Sequence, residues 1–247
     1  MKKIIIIILS VFPAFIQAQA KPDTLYVYGP GGPFGPVNEC ARIFGEQNKL
    51  PVKVLAGPEK KWIAEAKQNA DVIFGGAEYM LTQFTSDHPE LIDALSRTEL
   101  YKREAAILVR PGNPKNIRTV KDLTKPGIKL LDINGAGQLG MWEDIAGKWN
   151  LIGEIQNHIG GSFANTALGI EAWNKDNSYD AWISYASWHN RLKEVTALVK
   201  IPKKQTVFRG TPVAIAAITD QRESSSAFIA FMKSPAGHAI FKKWGWE

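Results

Sequence analysis

Cysteine is almost missing from this chain: Cys40 is the only one in 247 residues. No internal disulfide can brace the fold, and at an apolar-compatible helical position the thiol reads as a small buried hydrophobe rather than a nucleophile. Histidine is scarce too. His88, His158, His189 and His238 are scattered, with no H-x-x-x-H or carboxylate spacing that would make a metal site, and nothing calls for a cofactor. The G-x-S-x-G elbow of a hydrolase and the G-x-x-x-x-G-K-[ST] loop of a nucleotide-binding protein are both absent. Glu143 and Asp144 are adjacent carboxylates, but helical neighbours do not face one another, so they make no shared acid/base site. A secreted hydrolase would need a nucleophile and a base that the sequence does not supply. The expectation is a binding protein, not an enzyme.

Long apolar runs are missing apart from one at the start. Lys2 and Lys3 precede the run Ile4 to Ile16, and Ala18-Gln19-Ala20 follows, which is the three-part pattern of a cleaved secretory signal over residues 1–20. Ser10 and Pro13 interrupt the run, which falls short of the about 20 residues a membrane span needs. The mature chain is expected outside the cytoplasm, in the periplasm, with no stable membrane insertion. Charge of one sign is not concentrated either. The formal charge of +6 falls to +4 once Lys2 and Lys3 are removed, and the remaining basic residues are spread out. A nucleic-acid partner is not expected; the mild positive field favours a small anionic ligand.

What is present is an alternation of short β-prone and helix-prone stretches. Leu25 to Tyr28, Val52 to Leu55 and Asp71 to Phe74 read as strands, with helices over Val37 to Gln47 and Lys61 to Asn69 between them. This α/β order predicts a parallel sheet with covering helices. A helix is expected near Ala77, and Glu104 to Val109 reads as a long apolar strand ended by the turn RPGNP. A second α/β unit follows. It has a strand over Lys129 to Ile133, helices over Leu139 to Trp149 and Phe163 to Asn174, and strands over Tyr179 to Ser184 and Pro212 to Ile218; the chain closes with helices.

Glycine loops recur at the ends of these strands: GPGGP at 29–33, IFGGAEY at 73–79, NGAGQLG at 134–140 and GGSFANTA at 160–167. Such loops let backbone approach a ligand, and the helix N-termini that follow hold anions without a cationic side chain. Taken alone, GPGGP is equally a tight turn that binds nothing. Ser162 is an N-cap candidate whose hydroxyl could serve backbone or ligand. Arg103, just before the long strand, either clamps an anion bidentately or forms a surface ion pair with Glu104 or Glu99. Within DAWISYASWH, core packing explains Trp182 and Trp188, while Ser184 and Tyr185 sit at the strand end near any ligand.

The segments LYVYGPGGPFGP, ADVIFGGAE, YKREAAILVRPGNPKNI, GAGQLGMWEDIAG, YDAWISYASW and IFKKWGWE together resemble the accessory colonization factor AcfC family. That family is grouped with the type II periplasmic solute-binding proteins and is distantly similar to molybdate- and sulfate-binding proteins. The resemblance covers nearly the whole mature chain. It implies a two-lobed periplasmic binding protein-like fold with two crossing strands. Lobe one is expected over 22–105 plus 216–247 and lobe two over 106–215, with hinges near Glu104 to Ala106 and Ile215 to Ala217. The implied ligand is a small oxyanion or a phosphorylated or carboxylated metabolite in the interlobe cleft. Carried over by position, the site comprises Gly31, Gly32, Pro33 and Phe34, then Gly76 and Ala77, Arg103, the loop Gly135, Ala136, Gly137 and Gln138, and Ser184 with Tyr185. Relatives carry serine and threonine hydroxyls after GAG; here Gln138 follows, either replacing a hydroxyl donor or marking a different ligand. An ABC permease as downstream partner and a homodimer are both left open, and a surface adhesin without a transport role is the alternative.

Overall fold

The computed structural model describes residues 24–247; the expected signal segment lies outside them. The chain runs β1 (Leu25–Gly29), α1 (Phe34–Asn48), β2 (Val52–Ala56), α2 (Ile63–Asn69), β3 (Val72–Phe74), α3 (Glu78–Asp87) and the long β4 (Thr98–Val109). It continues through β5 (Leu130–Ile133), α4 (Met141–Gly147), α5 (Ile152–Gln156), β6 (Ile159–Phe163), α6 (Thr166–Lys175), β7 (Ala181–Tyr185), α7 (Ala186–His189), β8 (Ala197–Lys200), β9 (Phe208–Ile215), α8 (Arg222–Lys233) and α9 (Pro235–Lys243).

The expected parallel sheet is present in two pieces joined by antiparallel strands. β1 pairs in parallel with β2 and β3, and β5 pairs in parallel with β6 and β7. β4 connects the pieces: Thr98 to Glu104 pair antiparallel with β9, Ala105 to Val109 pair antiparallel with β7, and Ala106 to Val109 pair antiparallel with β8. The apolar stretch Ala105 to Val109 is buried on both faces, as its unbroken run of apolar side chains requires. The return crossing lies beside it. Ala105 N donates to Val207 O at 2.9 Å, and Thr206 Oγ1 donates to Ala105 O at 2.7 Å. The sequence placed this return at 215–217. β9 hydrogen-bonds to β3 and to the first part of β4 along its length, from Phe208 to Ile215.

Side-chain alternation along the strands separates two cores in the first half. Val72, Phe74, Val213 and Ile215 face α1, α8 and α9, whereas Ile73, Ala214 and Ala216 face the layer of α2 and α3. The second half has its own core, from Ala105 to Val207. Cys40 is buried in the first, and burial pushes its thiol up to about 12, consistent with a packing role. Trp173 anchors the second core. Its Nε1 donates to Val195 O at 2.9 Å, and the Arg110 guanidinium lies 3.7 Å over its ring. Trp173→Ala is therefore expected to lower unfolding stability by about 3–5 kcal/mol, measurable by chemical denaturation.

β6 was not anticipated. Ile159 to Phe163, sequence IGGSF, has little strand propensity, yet it pairs along β5. The following helix starts at Thr166 rather than Phe163, because Asn165 caps it by accepting from Leu168 N at 3.1 Å. Ser162 is thus not the cap. It lies within β6 and donates to Asp132 Oδ2 at 2.7 Å.

Candidate functional site

A cleft of about 450 Å³ opens where β4 passes from one half to the other. Three helices begin around it. Gly31 and Gly32 lie just before α1, Gly76 just before α3, and Asn165 to Ala167 form the start of α6; all of them line the cleft. The first amides of a helix lack intrahelical partners and carry its positive dipole end. Neither α1 nor α6 has an acidic residue in its first turn, so this positive potential is not neutralised from within those helices. The carboxylate of Glu78, at the start of α3, is engaged by the Gly210 amide.

Arg103 is the charge at the centre. It is 2% exposed, and strand register explains its place: Ala105 lies opposite Tyr185, so Arg103, on the same face of β4, sits diagonal to that ring. Its guanidinium carbon lies 3.8 Å over Tyr185 and 5.1 Å over Trp246. Nη2 donates to Gly76 O, while among the described residues Nε has no hydrogen-bond partner. Burial pulls its pKa below the usual value, opposed by the fields of Tyr185, Tyr79 and Glu78. Of the two sequence alternatives, the surface ion pair is not the one found. Glu99 pairs with Arg97 at 3.7 Å, and among the described residues no carboxylate forms an ion pair with Arg103.

The second half brings its glycine loop up to this charge. Ala136 takes left-handed backbone, φ 48°, within a tight 3₁₀ turn from Ala136 to Gln138. A Cβ on Gly137 would lie 2.9 Å from Gly76 O and 3.4 Å from Arg103 Nη2, so only glycine allows the loops of the two halves to approach this closely. Tyr185 Oη donates to Gly137 O. Tyr79, from α3 of the first half, donates to Ala136 O and accepts from Leu139 N at 3.0 Å. Among the described residues further contacts join the halves, including Arg191 to Gly31 O at 3.4 Å, the Arg209–Asp144 ion pair and the Lys203–Glu247 ion pair at 3.3 Å. Tyr79→Phe should raise the dissociation constant of a cleft ligand roughly fivefold or more, through loss of two hydrogen bonds that hold the second-half loop. Stopped-flow measurement should place the change mainly in the off-rate.

Of the residues expected from the sequence, Gly31, Gly32, Gly76, Arg103, Ala136, Gly137, Gln138 and Tyr185 line the cleft together. The others do not. Pro33 and Ala77 are buried beneath the loops, and Phe34 opens α1 facing outward. Gly135 packs on the Ala164 backbone. Ser162 is held by Asp132, and Ser184 is fully buried opposite Ala106. The cleft also contains Asn165 to Ala167, from the expected loop GGSFANTA, and residues outside the expected set: Gly57 to Glu59, Met80, Ile170, Trp188 and Arg191. Asn165, as a helix-capping residue, was the one with a readable signal. Trp188 and Arg191 enter only because the short α7 turns the chain back over the cleft directly after β7.

A family model described as bacterial extracellular solute-binding protein matches residues 25–247. No curated protein matches the chain. Among solved structures, L-phospholactate-bound PEB3, a protein of Campylobacter jejuni, is 29% identical and covers 90% of this chain and 99% of its own, with a TM-score of 0.83. The sulfate-binding protein SubI from Mycobacterium tuberculosis is 18% identical over 90% of this chain and 86% of its own, TM-score 0.75. A periplasmic molybdate-binding protein from Azotobacter vinelandii is 14% identical over 90% and 98%, TM-score 0.68.

Proposed function

The chain belongs to the bacterial extracellular solute-binding proteins and has the type II periplasmic binding fold, and from that premise we propose that it captures a small organic anion outside the cytoplasm. Its family and structural neighbours are binding proteins, not enzymes. The observation that carries the reading is Arg103: a buried guanidinium with no carboxylate partner among the described residues, at the meeting point of three helix N-termini. Leaving such a charge unpaired is costly, and an anion supplies the missing partner. PEB3 holding L-phospholactate, at 29% identity, supports a ligand of that size and charge. The cleft volume lies within the range of about 300–1,000 Å³ usual for small-molecule sites. Met80, Ile170 and Trp188 give it an apolar wall, which suits a phosphorylated or carboxylated metabolite better than a bare oxyanion.

Lobe one in this reading is 24–104 with 208–247 and lobe two is 105–207, and they close about the crossings at Glu104–Ala105 and Val207–Phe208. Delivery to an ABC permease is the role we infer. Among the described residues no helix is long and apolar enough to cross a membrane, so that partner would supply the membrane passage. The test is thermal denaturation with a panel of anions that includes L-phospholactate. At 100 times its dissociation constant a ligand should stabilise the fold by about 2.7 kcal/mol, roughly 5–10 °C for a chain of this size. Indifference to every organic anion would overturn the reading and favour a surface colonisation factor.

A further inference from the structure

Gln138 follows the glycine loop and forms part of the cleft wall, at 3% exposure. Its Nε2 donates to Thr166 Oγ1 at 2.9 Å, at the start of α6. One of the amide's two N–H groups is therefore already committed. Its Oε1 is buried, and among the described residues nothing donates to it. The resemblance left two readings of Gln138, a replacement for a hydroxyl donor or the mark of a different ligand; the arrangement observed leaves an acceptor. A ligand bearing only deprotonated oxygens would set lone pair against lone pair at Oε1, whereas a ligand O–H would satisfy it.

Resting on the anion cleft proposed above, we propose that Gln138 is a specificity-determining residue that selects anions carrying an O–H group. Arg103 takes the charge of the ligand and Gln138 accepts its proton-bearing oxygen. Two chemistries provide such a group: a phosphate ester in its monoprotonated form, and an alcohol next to a carboxylate. A sulfate ester provides neither.

The experiment is calorimetric titration of the mature chain at about pH 5.5, just below the second phosphate pKa of about 6, where L-phospholactate and the sulfate ester of L-lactate carry nearly the same charge. L-lactate against propionate forms the second pair. A site built to bond an O–H rejects an analogue that lacks it, so the O–H member of at least one pair should bind about tenfold tighter or more. The first pair identifies an acidic O–H, the second an alcohol. Gln138→Leu should bring the discriminating pair to within about threefold, since the acceptor is gone. Thr166→Val releases the amide to turn its N–H toward the ligand, and should narrow the same ratio by tightening the O–H-free member. That variant carries the test if Gln138→Leu does not fold. Equal binding within both pairs would overturn the role of Gln138 and leave the anion cleft standing. So would discrimination that persists in both variants. Failure of all four compounds to bind would overturn both.

Discussion

Arg103→Met is expected to abolish anion-dependent stabilisation while leaving the empty protein at least as stable as the parent. The two halves of that result have one cause. The Arg103 guanidinium is buried, with one bond to Gly76 O, two aromatic faces beside it, and no carboxylate partner among the described residues. Burial of a charge without a counter-charge opposes folding, and the lowered pKa of Arg103 reports that cost. Methionine keeps much of the volume between Tyr185 and Trp246 and removes the charge. Binding should suffer in the opposite sense. Each hydrogen bond to a charged group contributes about 1.5–3 kcal/mol, so loss of one or two should weaken an organic anion tenfold or more. Unchanged calorimetric affinity would refute the assignment of Arg103 as the ligand's charge partner. A large loss of unliganded stability would show instead that its contacts to Gly76 and Tyr185 are primarily structural.

Gly137→Val should be nearly as damaging to binding, for a steric reason. The loop of the second half reaches the first half only because position 137 has no side chain: a Cβ there would press on Gly76 O at 2.9 Å. Valine adds two further carbons in the same direction, and its stiff χ1 offers no way around. The loops must separate, which moves the Gly137 carbonyl away from Tyr185 and draws Gln138 back from the cleft. Gly137 lies in the short turn Ala136–Gln138, outside the strands and the longer helices, so the fold should persist with little change in melting temperature. Affinity should fall tenfold or more, since an error of about 1 Å in placing recognition groups is enough for losses of that order. Wild-type affinity in this variant would mean that the loops of the two halves do not close on a common ligand.

The sequence made the site partly legible because its features are local. Glycine and proline punctuate strand ends, so the loops at 31–32, 76 and 136–137 could be placed from neighbouring residues alone, and Arg103 was marked by its position at the head of an apolar strand. What escaped depended on distant parts of the chain. Trp188 and Arg191 belong to the cleft through the turn after β7, and β6 exists because β5 offers it an edge, not because IGGSF favours strand. The apolar run Pro212 to Ile218 reads as a crossing strand, but its pairing partner β3 lies in the first half, and pairing is not written in hydrophobicity. Ser184 shows the converse error. It sits at the strand end as expected, yet alternation turns it into the core opposite Ala106 while its neighbour Tyr185 reaches the cleft.

The most direct measurement is a crystal structure of the mature chain grown with L-phospholactate. The account predicts the ligand in the cleft, with an anionic oxygen within hydrogen-bond distance of Arg103 and further bonds from backbone amides of both halves, at the starts of α1 or α3 and of α6. A ligand bound on the outer surface, or held in the cleft by one half alone with Arg103 still unpaired, would contradict it.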